Sequence, residues 1–238
     1  MKYLVRFELK EPNVRVNYRE IFISFFKKSI SSYMDGYFFD DLYNAGTMKK
    51  SLVWSVNFQK PIFKKDKMEL AGKDVNMTLK IGDSQTALIY YSSMLLMKDK
   101  AFPIGDGNEL RLRSIKMINE NDIVGDYAVF KIFSPICLKQ HHSENNKDKY
   151  LTSEDAEFGL ELGRKLKEDL PYVDEEIDNL KYDFSKLKKV IVPIYKVKIP
   201  ATIGTFEISG DNKILNHILK NGIGSKRNSG FGLVEQAF

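Results

Sequence analysis

The sequence predicts an α+β chain built from two tandem β-α-β-β-α-β units, and three observations carry that prediction. Hydrophobic periodicity switches between the two-residue repeat of a strand and the 3.6-residue repeat of a helix along the whole chain. The same element order starts again just after Gly125. The composition, 43% hydrophobic and 29% charged over 238 residues, is that of a folded globular protein, and this length lets two small domains each bury a core. The expected domains are residues 1–124 and 125–238.

In the first half, Tyr3, Val5, Phe7 and Leu9 alternate with Arg6, Glu8 and Lys10 as a half-buried strand that Pro12 ends. Asn17 with Glu20 reads as a capping box for a helix running to Tyr33, with Ile21, Phe22, Phe25, Phe26 and Ile30 as its buried stripe. Gly36 breaks it, and Tyr37 to Tyr43 reads as a short helical turn. A strand with Leu52, Trp54, Val56 and Phe58 on one face follows, then a second from Val75 to Ile81. Ser84 is expected to cap a helix through Leu88, Tyr91, Leu95 and their neighbours. A turn at Gly105, Gly107 and Asn108 leads into a strand from Leu110 to Ile118.

The second half repeats the order. Tyr127 to Leu138 reads as a strand, Ser153 to Lys167 as a helix and Lys189 to Lys198 as a strand. Pro200 to Gly204 is expected to turn into a further strand, Thr205 to Ser209. Asp211 should cap a helix from Asn212 to Lys220 whose stripe is Ile214, Leu215, Ile218 and Leu219. A last strand follows the glycines. This order is that of two ferredoxin-like repeats.

The sharpest motif is the end of the chain, G-I-G-S-K-R-N-S-G-F-G-L-V-E-Q-A-F from Gly222. Two Gly-hydrophobic-Gly units bracket a basic insert. Glycines let a backbone take positive φ and approach a ligand closely, and consecutive free N–H groups beside cations suit a phosphate. Residues 222–232 resemble the glycine-rich loop of the CRISPR-associated repeat-processing endoribonucleases, members of the RAMP superfamily of double ferredoxin-like RNA-binding proteins. The segment F-S-P-I, Phe133 to Ile136, is similar to the Ser-Pro-Ile stretch that family members carry on the first strand of the second repeat. The resemblance covers nearly the whole chain. It implies that Gly222, Gly224, Ser225, Lys226, Arg227, Asn228, Ser229, Gly230 and Gly232 bind RNA, and that a basic cleft between the two repeats holds the precursor transcript.

The resemblance also implies metal-independent cleavage, in which a ribose 2′-hydroxyl attacks the adjacent phosphate and leaves a 2′,3′-cyclic phosphate and a 5′-hydroxyl. Many members place a histidine just after the first helix, whereas residues 31–50 of this chain contain none. Members without it rely on tyrosine and lysine. Tyr43, Lys49 and Lys50 are therefore the expected catalytic residues, with Tyr33 beside them: a lysine stabilises the phosphorane, and a tyrosine donates to the leaving oxygen or orients the 2′-hydroxyl. The rival reading is a non-catalytic RAMP protein that holds repeat RNA or serves as a subunit of an interference complex.

His141 and His142 sit in a polar stretch and are read as a surface loop that keeps a fallback acid or base. His217 is read as part of a solvated helix face with Lys213 and Lys220. Lys60, Lys64, Lys65 and Lys67, interleaved with Phe63, and Lys186, Lys188 and Lys189 are weaker candidates for RNA contacts. One cysteine, Cys137, excludes a disulfide framework and a cysteine-rich zinc site, and neither a metal nor an organic cofactor is expected. The net charge of +5 suits an anionic partner. No apolar run approaches the roughly 18 residues of a membrane span, so the expectation is a cytoplasmic protein without a membrane partner. CRISPR repeat RNA is the expected partner; interference-complex proteins and a homodimer are the others considered.

Overall fold

The computed structural model describes residues 1–44, 52–142 and 147–237. The chain divides into two compact units, Met1–Glu120 and Asn121–Phe238. Each has the β-α-β-β-α-β core of a ferredoxin-like fold.

The first unit runs through β1 (Lys2–Leu9), β2 (Asn13–Arg15), α1 (Arg19–Ser31), short helical turns at Met34–Gly36 and Asp40–Asn44, β3 (Leu52–Phe58), β4 (Ile62–Phe63), β5 (Lys67–Glu69), β6 (Asp74–Ile81), α2 (Ser84–Leu95), β7 (Phe102–Gly105) and β8 (Asn108–Ile118). Its main sheet is antiparallel with the order β3-β6-β1-β8-β7, and β2, β5 and β4 form a small second sheet. β1 is central. Tyr3, Val5, Phe7 and Leu9 are buried, as the alternation requires, and Phe7 meets Phe22 and Phe25 of α1 edge-on at 5.4 and 5.2 Å.

Two local expectations in this unit are corrected. Tyr18, not Asn17, is the residue before α1, and it makes no side-chain cap. Asp83, not Ser84, caps α2, accepting from the Thr86 N–H at 2.7 Å. Ala87, Ile89, Tyr90, Ser93 and Met94 are buried, whereas Leu88 and Leu95 are exposed. That helix is apolar on most of its circumference, so periodicity cannot choose a face.

The second unit runs through β9 (Tyr127–Ile132), β10 (Leu138–His142), β11 (Lys147–Leu151), α3 (Phe158–Asp169), α4 (Asp174–Asp178), β12 (Lys181–Asp183), β13 (Leu187–Ile194), β14 (Val197–Ser209), α5 (Asn212–Asn221) and β15 (Val234–Gln236). Its sheet order is β12-β14-β9-β15, with β13 also paired to β14 and β10 paired to β11 as a separate hairpin. Asp211 caps α5 as expected, accepting from the Lys213 N–H at 2.7 Å. Ile214, Leu215, Ile218 and Leu219 are each at most 1% exposed, so truncating any one to alanine should cost ~2–5 kcal/mol.

Here too the strands differ from expectation. β9 stops at Ile132, because the following residues turn their N–H groups toward the chain's end. Pro200 lies inside β14, opposite Ile191, and does not begin a turn. Within β14, β9 pairs only with Thr205–Ser209, so Pro200 sits on a stretch of β14 that β9 leaves unpaired, where a missing N–H is tolerated.

Candidate nucleic-acid interface

The glycine loop is a crossing of two backbone segments. Gly222 ends α5 at φ +71°, donating its N–H to the Ile218 carbonyl at 2.9 Å. The next residue, Ile223, donates to the Gly232 carbonyl at 2.9 Å. At Gly232, φ is +75° and a Cβ would overlap the Ile223 carbonyl oxygen. At Gly224, φ is +85° and a Cβ would lie 2.7 Å from the Cys137 carbonyl oxygen. Only glycine fits either place. Ile223, Phe231 and Leu233 between them are fully buried and anchor the crossing in the core.

The Phe133 to Ile136 stretch holds this crossing from the other side. Phe133 and Ser134 both donate their N–H groups to the Leu233 carbonyl, at 2.9 and 3.1 Å, and the Ser134 hydroxyl accepts from the Leu233 N–H at 2.9 Å. Pro135 accepts from the Gly232 N–H at 2.9 Å. The two motifs singled out in the sequence are therefore one hydrogen-bonded unit. Beyond them, Ser225 donates its N–H to the Cys137 carbonyl at 2.7 Å, and its hydroxyl accepts from the Lys139 N–H at 3.1 Å. The Cys137 thiol is buried, and that burial pushes it up to about 12, so it is an inert packing group.

The two cations of the loop have different fates. Arg227 donates to Asp169 Oδ1 at 2.9 Å and to the Asn221 carbonyl at 3.3 Å, with its side chain only 14% exposed. Asp169 ends α3 and is half-buried. Burial alone would raise its carboxyl; the His217 imidazole and the Arg227 guanidinium outweigh that and hold it down at about 2. His217 is thus not on a solvated face: it is half-buried, its Nδ1 lies 3.3 Å from Asn221 Nδ2, and its buried Nε2 lies 3.6 Å from Asp169 Oδ2. Arg227 spends its charge pinning the loop to α3 and α5. Lys226, by contrast, makes no side-chain hydrogen bond or ion pair with the described residues, and it sits in the left-handed region at φ +58°.

Lys226 leads into a single 3₁₀ turn, Arg227–Ser229, closed by Ser229 to Lys226 and Gly230 to Arg227 hydrogen bonds of 2.8 and 3.1 Å. The amides of Lys226 and Arg227 donate to nothing within the described residues. Two successive free N–H groups at a left-handed residue, beside an unpaired ammonium, form a small anion cradle.

The first unit's candidates are packed more tightly than a free acid or base. The Tyr43 hydroxyl lies 2.9 Å from the buried Tyr90 hydroxyl, with Lys27 Nζ 5.4 Å above its ring. Burial, then Tyr43, pushes the Tyr90 phenol well up, so it stays protonated. Tyr33 stacks on Phe38 at 6.1 Å. Lys49 and Lys50 lie outside the described residues. Several weaker cation candidates are in ion pairs: Lys64 and Lys67 with Glu69, Lys186 with Glu207 at 2.9 Å, and Lys189 with Glu154 at 3.0 Å. His141 lies on β10, its Nδ1 3.0 Å from Asp148.

Sequence reasoning missed Asp169. The one signal was a carboxylate in the last turn of a helix, where it opposes the helix dipole and calls for a compensating cation. No group of three or more His, Cys, Asp or Glu side chains stands at metal-holding geometry among the described residues. None of their helices is long and apolar enough to cross a membrane.

Comparison with known proteins fits this geometry. The sequence profile described as CRISPR associated protein Cas6, C-terminal, matches residues 118–236, half of the chain. No curated protein matches the sequence significantly. Among solved structures, the product of a Cas6-related gene from Pyrococcus furiosus superposes with a TM-score of 0.84 at 18% identity, covering 100% of this chain and 98% of its own. A RAMP protein described as binding different RNA substrates gives 0.80 at 20% identity, covering 100% of both chains. A CRISPR associated protein Cas6 gives 0.78 at 17% identity, covering 100% of this chain and 99% of its own. These likenesses show a shared fold, and the profile match over the glycine loop and its clasp shows the family: the chain belongs to the CRISPR-associated Cas6 family.

Proposed function

We propose that this protein is a CRISPR precursor-RNA endoribonuclease that cuts within repeat RNA without a metal, by 2′-hydroxyl attack. The single observation that carries the RNA half is the loop tip: two free amides and an unpaired Lys226, held rigid by Arg227, Asp169 and the Ser134 clasp. The nucleophile belongs to the substrate, so the protein supplies positioning, proton transfer and charge. Gly222 to Gly232 hold phosphates. Tyr43 gives a proton to the leaving oxygen or orients the 2′-hydroxyl. Lys49 or Lys50 stabilises the phosphorane, and Tyr33 is the further catalytic candidate.

Cleavage of the host's repeat RNA in chelator tests this. Cutting is expected to persist in chelator, to stop when the cut-site ribose is 2′-deoxy, and to leave a cyclic phosphate. Tyr43→Phe should slow it by roughly 10²-fold. A sulfur in place of the bridging 5′-oxygen should erase that defect, because a thiolate leaves without a proton. Cutting that needs a metal, or that survives the deoxy substitution, overturns the mechanism. Separately, Lys226→Ala should weaken RNA binding at every sequence and lower the slope of log K against log salt by about one. An unchanged slope removes Lys226 from the phosphate contacts.

The second reading is a RAMP protein that binds repeat RNA without cutting, alone, as a homodimer or within an interference complex. It is favoured by the absence of a histidine in residues 31–50 and by the Tyr43 hydroxyl's bond to Tyr90. Tight binding of an intact repeat by the wild-type chain selects it.

A further inference from the structure

The β10–β11 hairpin carries a histidine and a carboxylate that the reaction above leaves unused. His141 and Asp148 face each other across the ladder, with Nδ1 and Oδ1 3.0 Å apart, and Lys139 Nζ lies 2.8 Å from the other oxygen of Asp148. Hydrogen bonds from Lys139 and then from His141 hold the Asp148 carboxyl below the usual range, so it is ionised. A carboxylate on Nδ1 fixes the tautomer that carries its proton there and leaves the Nε2 lone pair free. The His141 side chain is 54% exposed, so Nε2 is open to a ligand.

This pair stands beside the glycine loop. Lys139 and His141 are two residues apart on one strand and share a face, and the Lys139 N–H is bonded to the Ser225 hydroxyl. Lys139, His141 and Ser225 line one cavity of about 530 Å³, closed on its far side by Arg164, Lys165 and Glu168 of α3. That size suits a nucleotide. Arg164 and Lys165 are each paired with Glu168, and Arg164 also with Glu161, so the α3 wall is close to neutral. The charged groups facing His141 are thus Lys139, Asp148 and this balanced wall.

We infer that His141, oriented by Asp148, is the general base of the cleavage proposed above, taking the 2′-hydroxyl proton of a nucleotide seated beside Ser225. The inference rests on that cleavage reading. In the step, the O2′–H proton passes to Nε2 as the O2′–P bond forms. The P–O5′ bond breaks with its electron pair on O5′, which takes a proton from water. His141 leaves as imidazolium and returns its proton to solvent. Lys139 offsets the phosphorane charge. An imidazole on the hairpin thereby replaces the one that residues 31–50 lack.

The test is single-turnover cleavage of repeat RNA by the full chain. His141→Ala and His141→Gln should each slow cleavage by about 10²-fold or more while RNA affinity changes less than about three-fold. Added imidazole should restore part of the His141→Ala rate. The pH-rate profile should lose the limb of unit slope seen in wild type. Asp148→Asn should slow cleavage by about ten-fold and distort the same limb. Two results overturn the inference: His141→Ala cutting at the wild-type rate at every pH, or a loss of rate that only tracks a loss of affinity and is not rescued by imidazole. In both, wild type still cuts, so the cleavage reading stands. Wild type that binds but never cuts overturns both together.

Discussion

Gly232→Ala is expected to collapse the glycine loop and abolish RNA binding. Two costs combine. A residue with a Cβ at φ +75° is strained by ~1–2 kcal/mol. The Cβ would also occupy the place of the Ile223 carbonyl oxygen, and relief requires breaking the Ile223 to Gly232 hydrogen bond and then the Ser134 and Pro135 bonds behind it. Together these should remove at least ~3 kcal/mol from the second unit. Gly107 is the control: its φ is +71° and nothing lies within 4 Å of its Cβ position, so Gly107→Ala should pay only the backbone term, about 1 kcal/mol. Hydrogen exchange of the α5 and β15 amides, with RNA binding beside it, separates the two. If Gly232→Ala exchanges and binds as Gly107→Ala does, the crossing is not what holds the loop.

The second large effect is at Asp169. Asp169→Ala leaves the enclosed Arg227 guanidinium without its carboxylate, at a cost of about 3 kcal/mol. It should also weaken RNA binding, although it removes a negative charge and on charge alone would strengthen it. Binding that improves would mean that the loop needs no pinning. The same pair predicts an acid dependence. The folded-state carboxyl sits at about 2, below its ordinary 3.8, so its stabilisation is fully present above pH 4 and is lost as pH falls through about 2. A shift of that size corresponds to ~2.5 kcal/mol. The stability difference between wild type and Asp169→Ala should therefore shrink on acidification below pH 4; a difference constant down to pH 2 would show that the ion pair contributes nothing. The double variant Asp169→Leu/Arg227→Met should recover much of the stability, since an apolar pair of similar volume is often neutral, but not the loop's affinity for RNA.

The sequence by itself determined the βαββαβ order, the faces of β1 and α5, the Asp211 cap and the glycine loop. Each of these follows from residues near one another in the chain: alternation over eight residues, a cap and the helix it precedes, glycines that only particular backbone angles explain.

What the tertiary structure decided are the choices that local patterns leave degenerate. Helix α2 is apolar nearly all round, so the sheet chose its buried face. Pro200 is compatible with either a turn or an unpaired strand edge, and the short reach of β9 made it the latter. Above all, Lys226 and Arg227 are adjacent cations that no local rule tells apart. One makes no ion pair with the described residues and the other is neutralised by Asp169, 58 residues earlier in the chain. The role of a charge depends on which opposite charge folding brings within about 3 Å, and that distance is set by the packing of α3 against α5 rather than by sequence spacing.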